Sequence, residues 1–363
     1  DLTYVDQDTA EVTWSGDWQN NRQKVEVSVL KKEKDTDRVL PGAVFALSAK
    51  EDITNKDGDV ILEAGTVIEE KATGEDGKLT FEADLPIGFS YTVKETSPAP
   101  GFATTDEVQE FTFTAESSEK STVSYEFTFE DEPTVFEFTK TSLTDGKEVE
   151  GAKLTVTDEK GEVVDEWVSG KEPHIIKELV VGQTYTMTEV LPAPGYVTAE
   201  SIQFTVEDTA EVQKIEMKDD VTKVEISKTD IAGEELPGAK LTILDENGEA
   251  VESWTSTEEP HYIEMLPIGK YTLHEESAPE GYLVAENVAF EVKDTGEIQK
   301  VVMKDEAEPE ETPETPETPT TTVDAPKTGD HTPIAALMVS CGLGLAGTIA
   351  AVVWMKMKKK KQD

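Results

Sequence analysis

The stretch YTMTEVLPAPGY, residues 185–196, decides the fold because it occurs in three versions along the chain. The other two are YTVKETSPAPGF at 91–102 and YTLHEESAPEGY at 271–282. Each begins with apolar side chains at every second position, the period of a half-buried β-strand, and runs into a turn with proline and glycine. A repeat of this kind indicates a tandem array of similar modules.

A similar pair of strands flanks each copy. The strand before it alternates apolar residues and ends in a lysine, and the strand after it alternates in the same way and ends in an aspartate. The first strands carry Val27, Val29, Lys31; Phe136, Phe138, Lys140; and Val224, Ile226, Lys228, and the last strands carry Phe127, Phe129, Asp131; Ile215, Met217, Asp219; and Val301, Met303, Asp305. No segment before residue 333 shows a helical period. The pattern predicts an all-β chain of tandem Ig-like β-sandwiches, each of roughly 85–110 residues and about seven strands.

We place the modules at residues 25–133, 134–221 and 222–307. The first is the longest, and its extra residues around 49–74 predict a hairpin insertion. Residues 1–24 do not begin a module and are interpreted as the end of a preceding, truncated repeat, in which Asn20 stands where Asp131 stands in the next one. The chain is therefore expected to be the C-terminal part of a longer protein, or one whose signal peptide has been removed.

Strand phase places a lysine, a glutamate and an aspartate of each module on the apolar face, since side chains two apart on a strand point the same way. The three sets are Lys31, Glu95, Asp131; Lys140, Glu189, Asp219; and Lys228, Glu275, Asp305. An unpaired buried charge costs several kcal/mol, so these groups should pair or become neutral.

The predicted chemistry is covalent. Burial lowers the pKa of an amine and raises that of a carboxyl, which favours an uncharged nucleophile beside a protonated acid. The amine would attack the aspartate carbonyl, and the glutamate would transfer protons and stabilise the developing oxyanion. Fixed proximity would supply the rate, since effective molarities of about 10⁵–10⁸ M are attainable.

The lysine-ended first strand, the YTxxExxxPxGY motif and the aspartate-ended last strand together resemble the collagen-adhesin B-type (SpaA-like, prealbumin-like) modules of Gram-positive adhesins and pilins. The resemblance covers roughly residues 25–307 and implies isopeptide bonds between Lys31 and Asp131, Lys140 and Asp219, and Lys228 and Asp305. It implies that Glu95, Glu189 and Glu275 catalyse these bonds, and that Asn20 is the acceptor of the preceding repeat. Lys32 is a rival to Lys31, but Lys31 keeps phase with Val27 and Val29.

The composition limits the function. The 363 residues include 33 basic and 77 acidic side chains, a net charge of −44, which argues against nucleic acid as a partner. The only cysteine, Cys341, excludes a disulfide framework. No nucleotide loop, zinc spacing or Ser/His/Asp signature is present, so we expect no cofactor, no metal and no enzyme that turns over.

The C-terminal end has the order of segments of a targeting signal. Residues 308–324 are rich in Glu, Thr and Pro, which favours an extended spacer. Ala325, Pro326, Lys327, Thr328 and Gly329 follow, then an uncharged span at 333–354, long enough for a transmembrane helix, and a lysine-rich tail. This order resembles the LPxTG cell-wall sorting signal of Gram-positive surface proteins, with Ala325 in place of leucine. The resemblance implies that a sortase cleaves between Thr328 and Gly329 and joins the protein to peptidoglycan. A transmembrane anchor with a chance PxTG is the alternative.

Weaker signals have ordinary interpretations beside functional ones. His174 and His261 occupy matching sites, as metal ligands or as residues that begin a strand. Residues 55–59 resemble part of a calcium loop or form a turn. Trp167 and Trp254 are expected to be packing residues.

The preferred function is a secreted, wall-anchored stalk of an adhesin or pilus-associated protein, with upstream domains that could bind a host matrix or cell-surface ligand. The first alternative is an adhesin whose recognition surface lies in these repeats, with the 49–74 insertion as the candidate surface. The second is a pilin subunit that a sortase polymerises.

Overall fold

The computed structural model describes residues 23–117 and 120–309. Asn20, the spacer from residue 310 onward and the sorting signal at 325–363 lie outside these residues, so the predictions for them remain predictions. Within the described residues, no helix is long and apolar enough to cross a membrane.

All secondary structure in the described residues is β-strand, as the sequence predicts. The first module has nine strands: β1 Lys24–Glu33, β2 Val44–Ala49, β3 Ile53–Thr54, β4 Val60–Leu62, β5 Val67–Ala72, β6 Lys78–Phe81, β7 Ser90–Ser97, β8 Val108–Thr112 and β9 Thr122–Asp131. The second has seven: β10 Val135–Ser142, β11 Lys153–Thr157, β12 Val163–Val168, β13 His174–Lys177, β14 Thr184–Leu191, β15 Ile202–Thr205 and β16 Val212–Asp219. The third also has seven: β17 Lys223–Asp230, β18 Lys240–Leu244, β19 Ala250–Thr255, β20 His261–Glu264, β21 Gly269–Ser277, β22 Val288–Val292 and β23 Ile298–Asp305.

Each module is a sandwich of a three-stranded and a four-stranded sheet. The three-stranded sheets have the orders β6-β1-β9, β13-β10-β16 and β20-β17-β23, with the first strand of the module in the middle. The four-stranded sheets have the orders β5-β2-β7-β8, β12-β11-β14-β15 and β19-β18-β21-β22. The first and last strands of a module are therefore neighbours, and they pair in parallel.

The insertion in the first module is shorter than predicted. Strand β5 pairs with β2 in the position that β12 and β19 hold in the other modules, so it belongs to the common fold. The extra residues lie between β2 and β5, where β3 and β4 form a small antiparallel hairpin. The sequence predicts one long insertion because its alternating pattern does not show which strand pairs with which. The pairing of β5 with β2 is visible only in the structure.

Each module buries its own hydrophobic core between its two sheets. In the first module the core joins Val27 and Val29 of β1 and Phe129 of β9 to Phe45 of β2 and Val93 of β7. The second and third modules have separate clusters of the same design. The alternating residues seen in the sequence are those that fill these cores.

Candidate cross-link sites

The parallel pairing of first and last strands brings each lysine beside its aspartate. In the first module Lys31 is in register with Phe129 and Glu33 with Asp131, so the two charged residues lie on the same face, two positions apart. The same offset holds for Lys140 and Asp219, and the lysine Nζ donates to the aspartate Oδ1 in both modules.

The third module repeats this arrangement with Lys228 and Asp305. In the three modules the lysine and aspartate are 100, 79 and 77 residues apart in sequence. The fold therefore closes a long loop at the same point each time.

The glutamates approach from the opposite sheet. Glu95 lies on β7, and its Oε1 is 3.0 Å from the Nζ of Lys31. The matching distances are 3.1 Å for Glu189 and 2.9 Å for Glu275. In each four-stranded sheet a β-bulge lies directly after this glutamate. Bulges are a common means of redirecting a side chain next to a functional site.

All nine side chains are buried. The least buried of the nine residues is Glu189, at 4 % exposure, and Lys31 has none. The Nζ of Lys31 also lies 5.5 and 5.9 Å from the ring centres of Phe45 and Phe129. The sites are therefore shielded from water, which strengthens every electrostatic interaction inside them.

A backbone N–H fixes the second oxygen of each glutamate. The Oε2 of Glu95 accepts a hydrogen bond from the N–H of Thr105 at 2.9 Å. Ala199 and Ala285 donate in the same way to Glu189 and Glu275, both at 2.6 Å. The donor is ten residues after the glutamate in every module. Sequence reasoning missed this contact because a backbone donor can belong to any residue type, and only the constant spacing could have revealed it.

Burial changes the protonation of the carboxyl groups. Desolvation is the largest cause in each case, and it raises the pKa of Glu95 and of Asp219 to about 7. It also raises the pKa of Asp131 and of Asp305 above their usual range, against the opposing effect of the neighbouring lysine. These four carboxyl groups therefore hold a proton at a higher pH than exposed ones do.

One carboxyl oxygen of each aspartate accepts no hydrogen bond in the described part of the chain. The Oδ2 atoms of Asp131, Asp219 and Asp305 have no hydrogen-bond partner among the described residues. A buried oxygen of this kind is satisfied when it carries a proton shared with a neighbouring carboxyl, or when it leaves as water. This geometry suits a condensation in which Oδ1 remains as the amide oxygen.

The structure separates Lys31 from its rival. Lys32 points away from the core, is partly exposed, and has an ion pair of 3.3 Å with Asp37. It contacts neither Glu95 nor Asp131 in the described interactions. The alternation of strand β1 alone accounts for this difference.

The weaker sequence signals occupy ordinary positions. His174 is stacked on Trp167, with ring centres 4.3 Å apart, and its Nε2 lies 2.8 Å from Asp165. His261 repeats this on Trp254. Both tryptophans pack against their cores, as predicted. No group of three or more His, Cys, Asp or Glu side chains in the structurally described part of the chain could hold a metal ion.

The segment that resembles a calcium loop is a turn between β3 and β4. The Oδ1 of Asn55 accepts hydrogen bonds from the N–H groups of Asp57 and Asp59, both at 2.9 Å. This side chain therefore stabilises the turn.

The fold defines a class of protein, a tandem array of prealbumin-like β-sandwiches. The chain belongs to the family of SpaA prealbumin-like fold domains, whose model matches residues 25–128, 134–221 and 222–307. A search among curated proteins found no match.

Several solved structures are similar. The Bacillus anthracis TIE protein shares 27% identity, with a TM-score of 0.40, over 78% of this chain and 51% of that one, so this chain spans about half of that protein's length. A streptococcal ancillary pilin shares 15% identity, with a TM-score of 0.31, over 77% of this chain and 99% of that one. BcpA, the major pilin subunit of Bacillus cereus, shares 14% identity, with a TM-score of 0.34, over 79% of this chain and 100% of that one. The family assignment rests on the three matched modules.

Proposed function

We propose that this protein is a surface stalk of an adhesin or pilus-associated protein, in which every module carries a self-formed Lys–Asp isopeptide bond. The observation that carries the proposal is the threefold repetition of one geometry: a buried lysine against an aspartate, with a glutamate about 3 Å from the amine. One such cluster could be an expensive ion pair. Three in the same register are better explained by a common reaction.

The reaction needs no partner beyond the three side chains. The lysine Nζ attacks the Cγ of the aspartate, and a new N–C bond forms. The glutamate accepts a proton from the amine and gives a proton to the departing aspartate oxygen, which leaves as water. Counted from the ammonium form, the nitrogen loses two protons, one as it becomes a neutral nucleophile and one as the amide forms. Counted from the carboxylate form, the departing oxygen gains both, and the glutamate ends as it began, so each module reacts once.

The bond would stabilise the module and carry load. It closes a loop of 77 to 100 residues. By analogy with disulfides, a cross-link of this span lowers the entropy of the unfolded state, which stabilises the module by about 4–5 kcal/mol. Tension that enters through the first strand would leave through the last strand by way of the bond, without passing through the sandwich.

The anchoring half of the proposal rests on the sequence. A sortase would cleave between Thr328 and Gly329 and transfer the chain to peptidoglycan, which would place the protein on a Gram-positive cell surface. High-mass ladders of wall extracts on a denaturing gel would instead favour a polymerised pilin.

The decisive experiment is the intact mass of the recombinant modules, residues 23–309. Three isopeptide bonds lower the mass by three water molecules relative to the sequence. Peptide mapping should then recover Lys31 linked to Asp131, Lys140 to Asp219 and Lys228 to Asp305. A mass equal to the full sequence mass would refute the proposal.

A ligand-binding role for the first module is the second candidate. The β3–β4 hairpin exposes Val60 and Ile61, at 50% and 60%. Exposed apolar side chains on a hairpin outside the common fold are a reasonable contact surface. Binding of the first module to a host matrix protein, lost when residues 50–66 are replaced by a short turn, would support this function.

A further inference from the structure

The boundary between the first and second modules is built from specific contacts. Thr134 lies three residues after Asp131 and is fully buried. Its N–H donates to the carbonyl of Gly101 in the first module at 3.0 Å, and its hydroxyl donates to the carbonyl of Leu179 in the second at 2.7 Å. Its own carbonyl accepts from the N–H of Glu178 at 3.0 Å. One threonine therefore connects both modules.

The boundary between the second and third modules repeats the arrangement. Thr222 lies three residues after Asp219 and is also fully buried. Its N–H donates to Gly195 at 3.0 Å, its hydroxyl donates to Leu266 at 2.6 Å, and its carbonyl accepts from Met265 at 3.0 Å. The repetition shows that the contact is a feature of the module and not of one loop.

A glycine turn of the earlier module presses against the later one. A Cβ at Gly101 would lie 2.8 Å from the Cβ of Glu178, and a Cβ at Gly195 would lie 2.5 Å from the carbonyl oxygen of Met265. Both partners have left-handed backbones, with φ of 63° at Glu178 and 62° at Met265. This conformation is strained for a residue other than glycine. The matching Asp84 of the first module does not adopt it.

A third contact closes the other side of each boundary. The carboxylate of Asp208, in the second module, accepts from the N–H and the hydroxyl of Thr104 at 2.8 and 2.7 Å. Asp294, in the third module, accepts from the N–H of Thr198 at 2.8 Å. Each boundary is thus held at three separate points, which removes the freedom to bend that a single linker has.

The end of the third module supplies an internal comparison. Gly281 has a φ of +86°, within a few degrees of the φ at Gly101 and Gly195. Nothing in the described part of the chain lies within 4 Å of a Cβ placed at Gly281. Glu308 stands where the buried threonine stands in the other modules, and its N–H still donates to Gly281 at 2.8 Å. The turn therefore forms without a module behind it, so its shape does not depend on the joint.

We propose that these contacts form a fixed joint that accepts one kind of partner, the leading face of another module of this family. That face must offer a carbonyl in the loop before the strand that corresponds to β14 or β21. It must also offer an aspartate two or three residues after the strand that corresponds to β15 or β22. The joint holds consecutive modules at one angle, so that load passes from the aspartate of one module to the lysine of the next without a hinge. It depends on hydrogen bonds and packing between the modules, and it stands whether or not the isopeptide bonds form.

The test uses the full chain in a mild detergent, with Cys341→Ser and spin labels on K160C and N247C, which lie in exposed turns of the second and third modules. Electron–electron double resonance should give a narrow distance distribution. Gly195→Ala should broaden it, because the added Cβ meets the backbone of Met265. Gly281→Ala is the matched control, with the same backbone strain and no neighbour, and should leave it narrow.

A second pair of variants tests the threonine. Thr222→Val, which removes the hydroxyl, should broaden the distribution, and Thr222→Ser should restore it. A broad distribution in the parent chain, or equal distributions for Gly195→Ala and Gly281→Ala, would overturn the joint. Intact mass on the same samples shows whether the cross-links have formed, so a failure of the joint is distinguishable from a failure of the proposed stalk chemistry.

Discussion

At the scale of the residue, the glutamate is the best test of the proposed chemistry, because it would take part in the reaction without becoming part of the bond. Replacement of Glu189 by Gln keeps the shape of the side chain and removes its ability to transfer a proton. We expect the variant to lack one of the three losses of water, with the second module destabilised by about 4–5 kcal/mol through the missing cross-link. Intact mass and thermal unfolding measure the two effects.

Glu200 provides the control for this variant. It is exposed and lies in the loop after the same strand, so Glu200→Gln should keep all three losses of water. A Glu189→Gln protein that still shows three would mean that the lysine and aspartate condense without a general acid. The proposed role of the glutamate would then be wrong.

The protonation of the site gives a prediction about pH. In Lys31→Met the bond cannot form, and two buried carboxyl groups remain without an amine. Burial raises the pKa of Glu95 to about 7, above its unfolded value of 4.5, and raises the pKa of Asp131 as well. A raised folded-state pKa stabilises the module fully below the unfolded value, and this contribution is lost as the pH rises through the folded value.

The variant should therefore have a lower Tm at about pH 8 than at about pH 5. Differential scanning calorimetry at the two values measures this difference. Lys32→Met is the control, since Lys32 lies outside the core and its replacement would leave the proposed bond intact. Equal Tm values for Lys31→Met at the two pH values would contradict the raised pKa values.

The sequence revealed most of this site at the level of single residues. Alternation along a strand was enough to direct Lys31 inward and Lys32 outward, because the side-chain period of a strand is two. It could not reveal the anchoring of Glu95 by Thr105, because the donor is a backbone group. Hydrogen bonds of this kind depend on how a loop folds back, and Ala199 and Ala285 do the same with a different side chain.

At the scale of the element, the parallel pairing of first and last strands decides how the module bears force. Tension applied at the two ends of the chain pulls β10 and β16 in opposite directions along their length, so the hydrogen bonds between them are loaded together. The Lys140–Asp219 bond would lie across the same pair of strands. Everything between those two residues would then be shielded from the load.

Removal of the bond should expose the shielded length. In Lys140→Ala the chain between the two positions, which are 79 residues apart in sequence, can extend, and this adds a step of about 250 Å to a single-molecule force trace. The parent chain should show no such step for the second module. Lys147→Ala, in the exposed loop after β10, is the control, and a long step in that variant would show that the bond is not what limits extension.

The pairing of these elements was harder to predict than their existence. Alternation shows which residues of a strand face the core. It does not show that β1 pairs with β9, a strand about 100 residues away in sequence. For the same reason the predicted insertion at 49–74 is too long. It includes β5, which pairs with β2 and so belongs to the common fold. Strand partners depend on loop geometry and on competition among all strands, which one window of sequence does not contain.

At the scale of the whole molecule, the buried threonines explain why tandem modules need more than a linker. Thr134 and Thr222 follow their aspartates at the same spacing, which is a signal present in the sequence. Its meaning is visible only when two modules are in place, because the threonine bonds to backbone carbonyls of both modules. The positions of Asp208 and Asp294 were hidden for the same reason.

The three reactions should also be independent of one another, although the modules are joined. Each buried triad belongs to a separate hydrophobic core, and substitutions in sites without shared partners usually have additive effects. The three single variants Glu95→Gln, Glu189→Gln and Glu275→Gln should each lose one water molecule fewer than the parent. Each double variant should lose two fewer, and the triple variant should have the full sequence mass.

In calorimetry each single variant should show one transition shifted to lower temperature while the others remain. Glu280→Gln, an exposed change in the third copy of the repeated motif, should alter neither measurement. If a single variant lost more than one bond, the joints would have to transmit folding as well as force, and the modules would form one cooperative unit in place of three.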